Sequence, residues 1–210
     1  MRRRMAGVLL VTVLLAGSLL AACVPALAQP VAGAGHIPAP QDAAPLLPRY
    51  LLTDPQGRAV TIDDFGGRYQ LVTFGFISCP DVCPTTLLEF KQVLELLGSE
   101  AKRMQPIFIT VDPERDTRDI LREYTAAFDA RILGLTGSPE LVRRAADSFR
   151  IQYEKVREPG AKPENYTMNH TAGMVLLDTR GRFLARFAYA MPASEIAQRI
   201  RAAMGVDGGR

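Results

Sequence analysis

Phe74-Gly-Phe-Ile-Ser-Cys-Pro-Asp-Val-Cys-Pro-Thr-Thr-Leu-Leu88 carries two cysteines, Cys79 and Cys83, with three residues between them. The run into it, Tyr69-Gln-Leu-Val-Thr-Phe-Gly-Phe76, is rich in aromatic and β-branched residues. Nearly continuous apolarity over so few residues predicts a strand buried on both faces. From Thr85 to Leu97 the residues Leu87, Leu88, Phe90, Val93, Leu94, Leu96 and Leu97 fall at helical spacing, and Gly98 is a natural stop. The cysteines therefore sit where a strand hands over to a helix, with Pro80 and Pro84 stiffening the backbone around them.

Residues four apart share one face of a helical turn. At a rise of about 1.5 Å per residue their Cα atoms lie roughly 6 Å apart, within disulfide reach. The same spacing lets two thiolates hold one soft metal ion, and a helix N-terminus favours the thiolate. Dithiol–disulfide exchange and soft-metal binding are both open. A purely structural clip is the weaker alternative, because so short a loop removes only about 2 kcal/mol of unfolded-chain entropy.

The rest of the chain supplies a frame for this turn. Tyr50-Leu-Leu-Thr53 and Arg58-Ala-Val-Thr-Ile62 flank Asp54-Pro-Gln-Gly57, which predicts an opening β-hairpin. After the Tyr69 strand and the Thr85 helix, Met104 to Val111 reads as a second buried strand. A helix over Thr117–Phe128 follows, with Asp116 as its expected N-cap and Asp119 in its first turn. Arg131 to Thr136 is a short strand, Ser138 caps a helix to about Phe149, and Ile151 to Val156 is extended. Arg157 to Asn169, polar and holding Pro159, Gly160 and Pro163, is expected to be a long loop that delivers His170 to the start of a buried strand, Ala172–Leu177. Phe183–Tyr189 completes an antiparallel hairpin and a helix over Ala193–Met204 closes the domain. Strand, helix, strand, helix implies a parallel sheet. The expected class is α/β: a thioredoxin-like fold with a central mixed sheet flanked by helices and an N-terminal β-hairpin.

With 210 residues and 48% hydrophobic content, one core is the expectation. Arg2, Arg3 and Arg4 precede the apolar run Ala6–Leu20, the basic and apolar regions of an export signal. The formal charge of +3 contains those three arginines, so the chain without its leader carries +3 − 3 = 0, which gives no case for nucleic-acid binding. Leu20-Ala-Ala-Cys23 has the pattern of a bacterial lipobox, with Cys23 as the lipidated residue. Ala26-Leu-Ala28 instead fits ordinary cleavage, and an uncleaved anchor is the third option. Each exports the domain to the bacterial cell envelope, with the cysteines on the extracytoplasmic side. The expected organisation is a leader or anchor over 1–28, a Pro/Ala/Gly-rich linker over 29–47, the domain over 48–204 and a tail over 205–210. His36, isolated in the linker, is incidental.

His170 is the only histidine in the domain. In a thioredoxin-like fold the loop entering its strand lies beside the cysteine turn. Two thiolates and an imidazole form a soft three-ligand set suited to Cu(I) and able to take Cu(II), whereas zinc ordinarily adds a fourth ligand. Met168 and Met174 read as core.

Ser78-Cys-Pro-Asp-Val-Cys-Pro84, Thr110-Val-Asp-Pro-Glu-Arg-Asp-Thr117, Gly134-Leu-Thr-Gly-Ser138 and the isolated His170 together resemble the Sco/SenC family of copper-binding assembly proteins, over roughly Pro45 to Met204. The resemblance implies a membrane-anchored copper metallochaperone that helps build the CuA centre of cytochrome c oxidase, with subunit II as partner and an upstream copper donor and a thiol reductant besides. It implies Cys79, Cys83 and His170 as copper ligands and Asp112 as a group behind them. Asp112 also reads as a simple turn residue before Pro113. The family usually has an aspartate where this chain has Asn169. The rival function is a thiol–disulfide oxidoreductase that keeps the oxidase's CuA cysteines reduced. A peroxidase on this fold would surround its reactive cysteine with Thr and Arg at set spacings, which the stretch around Cys79 does not show, and a pure scaffold leaves the paired cysteines without a role.

Overall fold

The computed structural model describes residues 48–79 and 82–207, apart from the side chains of 82, 206 and 207. The expected leader, Cys23, His36 and the linker to residue 47 lie outside the described residues.

A short antiparallel hairpin, β1 (Leu51–Thr53) with β2 (Ala59–Thr61), opens the fold as expected. Its turn is held by Asp54, whose Oδ1 accepts the amides of Gln56 and Arg58, both at 2.9 Å, and whose Oδ2 accepts Arg58 Nε at 2.7 Å. Asp178 repeats the device in the last hairpin, accepting the amides of Arg180 and Arg182 at 2.8 Å and Arg182 Nε at 2.6 Å. Burial works against both charges, but the amide and guanidinium bonds hold both carboxyls below their ordinary range.

Five strands form the central sheet in the order β5-β4-β3-β8-β9: β3 (Tyr69–Gly75), β4 (Met104–Thr110), β5 (Leu133–Leu135), β8 (Met174–Leu177) and β9 (Phe183–Phe187). β3, β4 and β5 run parallel, and β8 and β9 add antiparallel. Every residue of β3 and β4 is buried, as strands covered on both faces require. Side chains alternate across β3: Tyr69 and Leu71 enter a layer built by α1 (Val82–Leu97), Leu121 of α2 (Arg118–Phe128) and α4 (Ala193–Asp207). Val72 and Phe74 enter the opposite layer, with the first hairpin, Phe149 and α3 (Pro139–Ser148). Tyr50 bridges that layer to the sheet, donating to Gln70 Oε1 at 2.9 Å while Gln70 Nε2 donates to the Ile62 carbonyl at 3.0 Å. This is the thioredoxin-like α/β fold expected from the order of elements.

The structure corrects four expectations. α1 begins at Val82, not Thr85, because the fixed φ of Pro84 suits a first helical turn, where no amide is needed. Thr117, not Asp116, caps α2 by accepting the Ile120 amide; the Asp116 carboxylate turns inward. His170 does not enter β8 but ends β7 (Thr167–His170), which pairs antiparallel with β6 (Tyr153–Val156) in a separate two-stranded sheet. α4 runs on to Asp207, so its last turn takes in part of the expected tail.

Between β7 and β8 the chain turns sharply at Gly173, with φ of +117°. A Cβ there would lie 2.4 Å from the Phe187 carbonyl oxygen. Gly173→Ala is therefore expected to lower stability by about 3 kcal/mol or more, from backbone strain plus overpacking. Urea unfolding of the variant beside wild type measures it.

Candidate metal centre

α1 carries Cys83 in its first turn, and Cys79 lies in the turn just before the helix. The two cysteines thus do not share one helical face as their spacing suggested. They face each other across a helix entry, with Cys79 Sγ accepting the Cys83 amide at 3.4 Å. The two are thiols and not a disulfide; Cys83 is 2% exposed and Cys79 half-buried. Cys83 Sγ in turn accepts the Phe76 amide at 3.4 Å. Gly75 makes room for it: a Cβ at that position would sit 2.8 Å from Cys83 Sγ and 2.8 Å from the Phe108 ring.

His170, also 2% exposed, brings Nε2 to 3.6 Å from Cys83 Sγ. Its Nδ1 lies 3.0 Å from the Thr171 carbonyl, which only accepts. Nδ1 therefore carries the proton in the neutral ring, and the Nε2 lone pair faces the thiol. The ring stands edge-on to Phe76, centroids 6.0 Å apart. Backbone anchoring of the distal ring nitrogen is the arrangement that orients a ligating histidine.

Cys83 is a perturbed group. The Cys79 side chain first, then burial, push its thiol well above the ordinary range, with a smaller contribution from Asp116. A metal ion relieves this by replacing the thiol proton. Among the described residues no three His, Cys, Asp or Glu side chains already close on a common point. Cys83 and His170 form the closed half, and Cys79 reaches Cys83 through its backbone. A buried sulfur, a half-buried one and a buried imidazole nitrogen beside Phe76 suit a soft ion; the donor set fits copper.

Asp112 is buried, and its side-chain hydrogen bonds run to Arg115 and Tyr166. Arg115 Nε donates to its Oδ2 and Tyr166 Oη to its Oδ1 at 2.9 Å. Arg115 Nη1 also donates to the Tyr166 carbonyl at 2.9 Å, and its guanidinium stacks 3.8 Å from the Tyr166 ring centroid. Asp112 thus ties the residue just before β7 to the turn after β4. Its backbone carbonyl closes that turn, accepting the amides of Arg115 and Asp116. Asn169 donates through Nδ2 to Glu154 Oε1 at 3.3 Å across β6 and β7, a contact an aspartate could not make.

Sequence reasoning missed Asp116 as part of the site. Its Oδ2 accepts Thr110 Oγ1 at 2.6 Å and the Ile77 amide at 3.1 Å, in the cysteine turn itself. Local spacing made it look like a helix cap; its partners lie 6 and 39 residues away. Tyr166 was equally hidden, its only signal being a lone aromatic at the end of a polar loop.

The SCO1/SenC family model matches residues 38–205. A SCO2-like protein of Rickettsia felis is 34% identical over 154 residues, 73% of this chain and 75% of the relative. The structure of Bradyrhizobium japonicum ScoI with copper bound is similar at 39% identity and a TM-score of 0.66, over 73% of this chain and 96% of that one. Yeast Sco1 with copper bound is similar at 30% identity and a TM-score of 0.70, over 77% and 90%.

Asp116 gives the site a pH signature. Burial pushes its carboxyl up to about 6 from an ordinary 3.8, against the Thr110 and Ile77 hydrogen bonds. The folded chain therefore holds a proton that the unfolded chain loses earlier. This group's stabilisation is complete below about pH 4 and is lost as pH rises through about 6. Wild type is expected to lose up to about 3 kcal/mol relative to Asp116→Asn across that window. Urea unfolding of both proteins at several pH values measures the difference.

Proposed function

The chain belongs to the SCO1/SenC family, and from that footing we propose that it is a copper metallochaperone supporting assembly of the CuA centre of cytochrome c oxidase. Cys79, Cys83 and His170 take one copper ion as cargo and release it to oxidase subunit II by ligand exchange. The observation that carries this is the 3.6 Å approach of His170 Nε2 to Cys83 Sγ between two buried side chains. The copper bound in the Bradyrhizobium japonicum and yeast relatives supports the choice of metal.

Each donor has a defined part. Cys79, half-buried, is the sulfur that solvent or a partner reaches first. Cys83 lies deeper, and its amide contact from Phe76 stabilises the thiolate left when the proton departs. His170 presents its lone pair with the opposite nitrogen anchored. The thiols must be reduced before copper enters, so a thiol reductant and an upstream copper donor are further partners. The arginines at 2–4, the apolar run after them and Cys23 support export and anchoring in the bacterial envelope, with a linker to residue 47 spacing the domain from the membrane. Among the described residues no helix is long and apolar enough to cross a membrane.

The adjacent thiols, not joined as a disulfide, also favour a second reading, reduction of the oxidase's own CuA cysteines. It gives His170 no role.

The reduced chain is expected to bind one copper per molecule. Cys83→Ala and His170→Ala should each weaken binding by more than about a hundredfold, beyond the loss typical of a group that only supports a ligand. Competition with a chromophoric Cu(I) chelator measures this. Unchanged affinity in Cys83→Ala contradicts the metallochaperone, and full reductase activity in a His170→Ala chain that still supports oxidase assembly favours the second reading.

A further inference from the structure

Four aspartates are buried among the described residues, and three of them, Asp54, Asp112 and Asp178, pair with an arginine. Asp116, 2% exposed, has no such ion pair. A buried carboxylate without a countercharge costs stability, so its place in the fold calls for a reason of another kind.

Its hydrogen bonds supply one. Ile77, whose amide Asp116 accepts, is two residues before Cys79. The neighbouring Phe76 amide donates to Cys83 Sγ, and the Phe76 carbonyl accepts the Cys79 amide at 3.4 Å. Consecutive backbone groups of one turn thus fix Cys83, Asp116 and Cys79. Asp116 is itself held on the other side. Thr110 Oγ1 accepts the Asp112 amide at 2.9 Å, which leaves its own proton to point at Asp116 Oδ2. The Asp116 amide donates to the Asp112 carbonyl at 3.0 Å. Thr110 ends β4, so Asp116 clamps the cysteine turn to the central sheet.

We propose that Asp116 is a positioning residue of the copper site, holding the Ile77 amide and hence the turn in which Cys79 and Cys83 face one another. The proposal rests on the metallochaperone reading. A single carboxylate oxygen accepts both donors and brings no donor of its own that would need a partner. An asparagine can place its Oδ1 at the same point, keeping the acceptor while losing the charge; an alanine cannot.

The test uses the full reduced chain as wild type, Asp116→Ala, Asp116→Asn and Thr110→Val. Three quantities are read: Cu(I) affinity by competition with bathocuproine disulfonate, hydrogen exchange of the Ile77 amide, and thermal unfolding. Asp116→Ala is expected to lose Ile77 protection and to bind Cu(I) about 10-fold or more weakly, in the range of lost ligand support. Asp116→Asn should retain both, even though it changes the pH dependence of stability. Thr110→Val should show a partial loss of both, and it carries the test if Asp116→Ala does not fold. A folded Asp116→Ala with wild-type affinity overturns the proposal. So does an Asp116→Asn that loses affinity with Ile77 still protected, because charge and not position would then be at work. Absence of copper binding in wild type overturns the metallochaperone instead, while the Ile77 exchange still reports whether Asp116 holds the turn.

Discussion

The contact between Cys83 Sγ and His170 Nε2 joins residues 87 apart in sequence inside the core. Buried polar atoms must find partners, and both of these do so chiefly through the backbone: the thiol takes the Phe76 amide, and the imidazole donates its Nδ1 proton to the Thr171 carbonyl. For those partners to be in place, β3 must end at Gly75 with no side chain filling the space of the sulfur, and β7 must stop before the turn at Gly173. The contact therefore depends on both ends of the sheet being cut to length. The two glycines answer to sterics, since each leaves a gap that a Cβ would fill.

The segment after β4 organises what surrounds that contact. Asp112 reaches Tyr166 and Arg115, steadying the entry to β7, while Asp116 reaches Ile77, steadying the cysteine turn. Thr110 links the two, giving its proton to Asp116 and accepting the Asp112 amide. The cysteine half and the histidine half of the site thus hang from one short stretch anchored in the central parallel strands. Tyr166, stacked against Arg115 and with Lys155 4.2 Å from its ring centroid, closes this stretch toward solvent.

Much of this was legible in the sequence, for a physical reason: the strands of a parallel core are apolar runs, and amphipathic helices repeat every three to four residues. β3, β4, α2, α3 and the two Asp-x-x-Gly-Arg hairpins could be read locally. Cys79, Cys83 and His170 stood out by their rarity and chemistry. What escaped depended on contacts distant in sequence. β6 was expected as an extended stretch, but β7 fell inside the polar segment read as a loop, so the two-stranded sheet was missed and His170 was placed at the head of the next strand. Asp116 had the surroundings of a helix cap, and only the fold shows that Thr117 takes that part while the carboxylate serves the cysteine turn. Pro84 looked like a residue before a helix, yet it lies inside the first turn, where proline costs nothing.

Burial sets the chemistry. A thiol raised by a neighbouring thiol and by desolvation resists ionisation, and on the proposed reading a copper ion would take the place of its proton. Cys79 lies nearer solvent than Cys83. The central claim is that the buried pair and Cys79 act together on one ion. X-ray absorption at the copper edge of the loaded chain tests it most directly. The account predicts two sulfur scatterers and the multiple-scattering pattern of one imidazole; a sulfur-only shell, or copper bound by oxygen and nitrogen alone, would contradict it.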